Sequence, residues 1–431
     1  MNRIHMFTLA TGFAILCPAF AAEEPKPKSA APIADPAKAS PTHEKLTDIS
    51  LKGKDGTTLQ TLCADTQGRI VALVGQSRHF NAAAKNVVSE VHVLSSEGKP
   101  VHQWTVNFHA HSINVGPDGV VFVAGDGKVA RFDKIGKELG QIELPHIAEL
   151  IKNKDQMKAD AEKQLAQQRD QFDKTLKSFT EQKEKLEKKK PEELTKQEKS
   201  QLDQFKQILK SYEQTADYYK KMTVDDVVGQ TLSRLKVING IAVSEKDIFL
   251  VCGESKGYGY AIWRMSHDFK EPKQVKSGVR GCCGQMDVQV SGSDFLLAEN
   301  CDYKFGRYDR DGKSIGAWGK GMMAASGKES APDCFGGCCN PMNLRIDKAG
   351  DVYTAESEGI IKRFSAKGDF LGTVAKVSLT GGCKNVALAV SGDGEKVFFC
   401  DQPGSKVIIL ARKKADKTLG CLLYTSPSPR D

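Results

Sequence analysis

The clearest hydrophobic pattern in the chain lies between Cys338 and Lys376. Met342, Leu344 and Ile346 alternate with polar residues, and after Lys348-Ala349-Gly350 a second apolar run covers Val352 to Ala355. Ile360 to Phe364 is a third, and past Lys367-Gly368-Asp369 a fourth covers Phe370 to Val374. Period-two alternation broken at Gly and Asp predicts a four-stranded antiparallel meander. The third strand and its turn recur at Val91 to Gly98, Val129 to Gly136, Phe305 to Gly312 and Ile361 to Gly368, with looser copies at Ala261 to Lys270 and Val407 to Asp416. Such a sheet cannot bury its apolar face alone, so six copies must pack on one another.

The repeat spacing of roughly 45 to 55 residues is that of propeller blades. Through inner strand, turn glycine, Val352 to Glu356, Lys362-Arg363-Phe364 and Gly368, the chain resembles the NHL-repeat, TolB-like family of six-bladed β-propellers from about Thr47 to Lys414. The resemblance implies an all-β six-bladed ring. Blade one then covers about Leu59 to Val106 and blade two His109 to Leu144, with blades three to six starting near Lys236, Gly284, Asn340 and Lys384. Leu46 to Leu51 is expected to be the outer strand of the last blade, because pairing the two chain ends removes the exposed edges of a ring. The resemblance speaks to fold and little to activity.

One segment breaks the pattern. Beyond Pro145, residues up to Tyr219 are rich in Lys, Glu, Gln and Asp, with apolar residues at helical spacing. Leu202, Phe205, Leu209, Tyr212, Ala216 and Tyr219 form one stripe, and Leu165, Gln168, Phe172, Leu176, Phe179 and Leu186 nearly another. These predict an inserted antiparallel coiled-coil hairpin whose second helix starts at Pro191-Glu192-Glu193, an arm about 50 to 60 Å long at 1.5 Å per residue. A self-contained solvated hairpin, a docking arm and a lid over the propeller mouth all fit it.

The expected divisions are a signal peptide at 1–22, a flexible Pro/Ala/Lys linker at 23–44, propeller at 45–145, helical hairpin at 146–223, propeller at 224–414 and a tail at 415–431. Arg3, the apolar segment Phe7 to Phe20 and Ala19-Phe20-Ala21 have the layout of an exported protein's leader, which places the mature chain in the periplasm or outside the cell. From about Gly420 the tail resembles translated adapter sequence and stays outside the fold argument. Net charge is +8, with the basic excess largely in the helical insertion and no basic stretch interleaved with aromatics. The expectation is therefore no nucleic acid and no membrane span, with a protein partner or small ligand met at the channel mouth or along the arm.

Ten of the twelve cysteines remain once Cys17 and the tail residue Cys421 are set aside. In an exported chain disulfides persist, yet a closed ring needs no staples. Cys282-Cys283, Cys334, Cys338-Cys339 and Cys383 lie on the loops entering blades four, five and six, and His109 and His111 stand at the entrance to blade two. If the ring closes, those loops converge at one mouth. Three chemistries fit the cluster: structural disulfides, a zinc, copper or iron site, or a redox-active dithiol. Cys63, Cys252 and Cys400 read as small buried hydrophobes, and Cys301 as a partner for a mouth cysteine.

Acids close the second strands at Asp126, Glu254, Glu299, Glu356 and Asp401. The resemblance implies that each holds the loop that follows it; the other reading is a mouth carboxylate acting as ligand or base. Gly321 to Glu329 fails as a phosphate loop, Asp309 to Lys320 lacks the closing acid of a calcium loop, and no nucleophile elbow is present. Catalytic residues stay unassigned. The functional expectation is a ligand- or protein-binding propeller, with a metal-dependent or thiol-redox enzyme as the alternative.

Overall fold

The computed structural model describes residues 40–77, 87–255, 259–281, 285–321, 334–336, 340–379 and 386–414. Among them the chain is mostly β, with six four-stranded antiparallel sheets and four helices. Sheet one pairs Thr58–Ala64, Ile70–Gly75, Ser89–Leu94 and Pro100–Val106; sheet two pairs Ser112–Val115, Val121–Gly125, Lys128–Phe132 and Glu138–Glu143. Sheet three is Ile238–Val243, Asp247–Gly253, Tyr260–Ser266 and Lys273–Val279, and sheet four Val288–Ser291, Asp294–Glu299, Lys304–Tyr308 and Ser314–Trp318. Sheet five is Arg345–Ile346, Val352–Ala355, Ile360–Phe364 and Phe370–Lys376. Sheet six combines Ala387–Val390, Lys396–Asp401 and Lys406–Arg412 with an outer strand from the other end of the chain, His43–Ser50.

That outer strand runs antiparallel to Lys406–Arg412, with Ile49 opposite Val407 and His43 opposite Arg412, as expected from the alternation at Leu46 to Leu51. The first strand of each sheet lies against that of the next, and the first strand of sheet six returns to that of sheet one. The arrangement is propeller-like. One apolar cluster fills each seam: Phe249, Phe295 and Leu297, for example, between sheets three and four, and Phe305, Phe335 and Phe364 between four and five.

The recurring sequence phrase has a physical reading at each position. Its aromatic residue, Phe132 or Phe364, is buried in a seam. The preceding Arg anchors a turn or a strand: Arg131 donates to Asp268 at 2.5 Å in the next sheet, and Arg363 to Asp351 at 2.9 Å in its own. The following Asp or Ser closes the turn. Asp133 accepts from the amides of Ile135 (3.0 Å) and Lys137 (2.8 Å), and Asp309 does the same for Asp311 and Lys313, a turn role and not a calcium loop. The glycine has two duties at Gly136 and Gly368. Its φ is positive (95° and 91°), and the space a Cβ would need is taken by Trp104 or Trp318 from the outer strand of the preceding sheet. Ile49 and Val275 fill the same place at Gly98 and Gly312.

Between sheets two and three come α1 (Pro145–Lys152), α2 (Lys154–Glu187), α3 (Lys196–Lys221) and α4 (Val224–Leu235). The two long helices, α2 and α3, run antiparallel: Phe172 stacks on Tyr212 (5.1 Å), Phe179 lies 5.8 Å from Phe205, and Lys189 meets Glu198. At 1.5 Å per residue α2 is about 51 Å long. Its partner starts at Lys196 and not at Pro191, because Thr195 and Glu198 close a capping box there. The third sheet starts close to the expected Lys236, but a helix precedes it. Thr223 and Asp226 cap that fourth helix, and sheet three begins at Ile238. Ile147 of α1 and Leu235 of α4 are fully buried with Phe122 and Leu250, so these two short helices belong to the seam between sheets two and three. No helix among the described residues is long and apolar enough to cross a membrane.

Candidate functional site

The polar residues that alternate with the apolar ones on the inner strands point to the axis, where they enclose a small cavity of about 20 Å³, room for about one water. Gln60, Asn239, Gln285, Asp287, Asn343 and Arg345 line it, contributed by sheets one, three, four and five and the segments entering them. At its centre is an ion pair. Arg345 Nη1 donates to Asp287 Oδ2 at 2.5 Å and to the Leu344 carbonyl at 2.6 Å, while Nη2 reaches across to the Leu62 carbonyl of sheet one at 3.2 Å. Asp287 also accepts from the amides of Val288 (2.9 Å) and Leu344 (3.0 Å). The Asn343 amide donates to the Val386 carbonyl of the segment leading into sheet six, and Gln285 Nε2 reaches the same oxygen at 2.8 Å. Asp287 and Arg345 are 8 % and 9 % exposed, so this charge pair is held out of water by hydrogen bonds between separate sheets.

None of these residues was singled out from the sequence. The signal was present as Arg345 between Leu344 and Ile346 and Asp287 between Met286 and Val288, charges set inside apolar inner strands. Alternation reports which residues share a face; it does not report that the other face of the inner strand is a buried hub.

Of the predicted site residues, His109 and His111 are brought together at the entrance to sheet two, with ring centroids 4.5 Å apart and edge-on. Ile238 N–H donates to His111 Nδ1 at 3.4 Å, which leaves the His111 proton on Nε2, 3.4 Å from His109 Nδ1; His109 Nε2 in turn donates to the Gln76 carbonyl at 3.0 Å. The pair therefore ties the end of sheet one to the start of sheet three. Both ring acceptors are engaged, so ligation of a metal requires one of these bonds to open.

Cys334 is elsewhere. It pairs in parallel with Lys320, which continues the outer strand of sheet four, and its carbonyl accepts from Lys362 Nζ at 2.7 Å. Lys362 also forms a buried ion pair with Glu356 and stands 5.4 Å from the Phe335 ring centroid. In ring order sheets two and five are opposite each other, so the imidazoles and Cys334 are not neighbours along the ring. Cys282, Cys283, Cys338, Cys339 and Cys383 lie outside the described residues. Among the described residues no group of three or more His, Cys, Asp and Glu side chains is placed to hold a metal.

Four of the acids closing the second strands, Asp126, Glu254, Glu299 and Glu356, are held by groups outside the loop that follows. Glu254 accepts from Gly278 N–H at 3.0 Å in the outer strand of its own sheet, and Glu356 from Gly336 N–H at 3.4 Å, two residues beyond Cys334. Asp126 pairs with Lys236 at 3.4 Å, and Glu299 takes the Tyr308 hydroxyl and Lys304 Nζ. Burial raises the pKa of Glu356 against the opposing pull of Lys362. Cys63, Cys252 and Cys400 are buried as expected, and burial pushes the Cys63 thiol up to about 12.

No protein-family model matches the sequence, and no curated protein matches it. Among solved structures, a structural-genomics protein of unknown function from Bacteroides thetaiotaomicron has a TM-score of 0.47 at 12% identity over 88% of this chain and 74% of its own. The Cps50 (Swd1) beta-propeller domain of Myceliophteria thermophila gives 0.39 at 8% identity over 86% of this chain and 100% of its own. A functionally unknown protein from Desulfotomaculum acetoxidans gives 0.36 at 10% identity over 76% and 72%. The fold description rests on the strand pairing and seam contacts given above.

Proposed function

We propose that the chain is an exported six-bladed, NHL-like propeller that works as a binding module, taking a small ligand or a protein partner at its mouth and along its helical arm. The observation that carries this is the ring of inner strands around a polar hub, with α2 and α3 inserted between sheets two and three. In this reading 1–22 is a cleaved leader, the residues from 23 to the His43–Ser50 strand are a tether, that strand with 45–145 and 224–414 builds the ring, 146–223 carries the coiled-coil arm and the mature protein is periplasmic or secreted. The cysteines assigned to the mouth in this reading are Cys282, Cys283, Cys334, Cys338, Cys339 and Cys383, of which the described residues include Cys334 alone. Neither nucleic acid nor a membrane span has a part in it.

A second reading is a metal-dependent or thiol-redox enzyme, for which the His109–His111 contact supplies two imidazoles 4.5 Å apart. Zinc, copper or iron there would supply Lewis-acid or electron-transfer chemistry to thiolate and imidazole ligands. A thiol count with elemental analysis on protein purified anaerobically separates the two. Blocked thiols that appear only after reduction, without metal, support the binding module; stoichiometric metal lost in Cys338→Ala/Cys339→Ala supports the enzyme.

A further inference from the structure

The two ends of the helical insertion are stitched to a single turn of sheet two. The Gly127 carbonyl accepts from Leu144 N–H at 2.7 Å at the start of α1, and Gly127 N–H donates to the Lys236 carbonyl at 2.9 Å at the end of α4. His146, the second residue of α1, joins the two ends to each other: its Nε2 donates to the Leu235 carbonyl at 3.3 Å. The residue is 5 % exposed, and its imidazole stacks on Trp263 of sheet three with centroids 5.6 Å apart. Nδ1 is buried with no partner among the described residues. A neutral imidazole leaves a lone pair there; a protonated one buries a donor with nothing to receive it.

The charged groups around this root do not favour the cation. Asp126 is paired with Lys236 at 3.4 Å, so the charges beside Leu235 offset each other, and Arg234 of α4 adds a further positive charge. Glu143 of sheet two and Glu149 of α1 are exposed to water. Lys128 turns to Phe108 in the preceding seam, Arg264 to Asp311 in the following one, and burial keeps the Cys252 thiol neutral. The face of Trp263 and the carbonyl end of α4 favour a cation, and the amide end of α1 opposes it. Removal from water decides the balance and lowers the pKa of His146 below the ordinary 6.5. We infer that His146 is an acid-operated latch on the root of the arm: neutral, it locks α1 to α4; protonated, it lets that root open more often while the other sheets stay paired. This latch goes beyond the binding-module reading and holds whatever partner the arm meets.

With the root open the imidazole meets water and titrates near 6.5, so the open state binds the proton more readily than the closed one. The latch is therefore fully engaged above that pH and weakens as pH falls below it, by at most about tenfold in the opening constant at about pH 5.5. Amide hydrogen exchange with mass spectrometry on the full chain, at about pH 7.5 and 5.5 and corrected for the intrinsic exchange rate, tests this. Protection of Pro145–Lys152 and Val224–Leu235 is expected to drop by about threefold to tenfold at the lower pH, while that of Val352–Ala355 in sheet five holds. His146→Gln keeps a donor for the Leu235 carbonyl and His146→Phe keeps the stack; neither titrates, so both should abolish the difference. Two variants keep the test informative if one folds poorly. No drop in the wild-type chain, an equal drop in either folded variant, or the same drop across all six sheets overturns the inference.

Discussion

Trp318 occupies the place where Gly368 would otherwise carry a side chain: a Cβ built on that glycine would stand 2.6 Å from the indole Cγ. The contact joins the outer strand of sheet four to a turn of sheet five, and Trp104 repeats it on Gly136 one seam after the ring begins. A residue that reads as a simple turn signal is thus also half of an inter-sheet contact.

Gly368→Ala combines left-handed strain with a collision, and the expected cost is about 2–3 kcal/mol. Gly316→Ala, on an outer strand with nothing within 4 Å of the new methyl, should change stability by less than about 0.5 kcal/mol. Urea denaturation of both variants checks this. Equal midpoints would mean that the indole contact carries no weight.

At the hub, Asp287→Ala strands the Arg345 guanidinium in a buried setting, and a loss of about 3 kcal/mol or more is expected. A double-mutant cycle with Arg345→Met should return part of that loss, since no charge is then stranded and only the backbone partners of the pair lose a bond. Strictly additive losses would show that the two side chains do not depend on each other.

The closing strand is acid-sensitive through His43. Thr42 Oγ1 is 2.9 Å from its Nδ1, Nε2 donates to the Gly394 carbonyl at 3.0 Å, and burial holds its pKa below the ordinary 6.5. His146, stacked on Trp263, is lowered by burial in the same way. The unfolded chain therefore binds protons more readily than the fold as pH drops through 6.5, so stability present above that value is lost on acidification. Denaturation midpoints measured down from neutral pH should fall, and His43→Phe should flatten the profile. An unchanged slope in that variant would rule His43 out as the cause.

The helical pair is separable only in part. Met157, Ala161 and Leu165 at the base of α2 pack on Met222, Val227 and Val228, while Ile147 and Leu235 are core residues of the ring. Replacing 172–212 by a short Gly/Ser bridge is expected to leave one cooperative melting transition close to the parent's. Removing 147–219 opens that core and should broaden or lower it. The pair of calorimetric traces decides, and identical behaviour of the two deletions would contradict the packing described.

Much of the ring was legible because each repeat announces itself locally: Arg131-Phe132-Asp133 and Arg363-Phe364-Ser365 name an anchor, a core residue and a turn cap within three positions. The closing strand was legible for a topological reason, the need to cover an edge. What escaped was whatever depends on distant segments meeting. Asp287 and Arg345 are 58 residues apart, and each looked like an ordinary polar member of an alternating run. The fourth helix escaped because Val224 to Leu235 is short and its apolar face, with Val227, Val228 and Leu235, is as consistent with strand as with helix. The cysteine cluster was read from loops whose key residues lie outside the described segments.

The account turns on the ring being closed by both ends of the chain. Amide hydrogen exchange followed by mass spectrometry on His43–Ser50 measures this directly. Pairing with Lys406–Arg412 predicts that the inward-facing amides of this segment are protected together with those of Thr58–Ala64 and lose protection only as the ring unfolds. Exchange at the rate of an unpaired tail, with the rest of the sheets still protected, would contradict it.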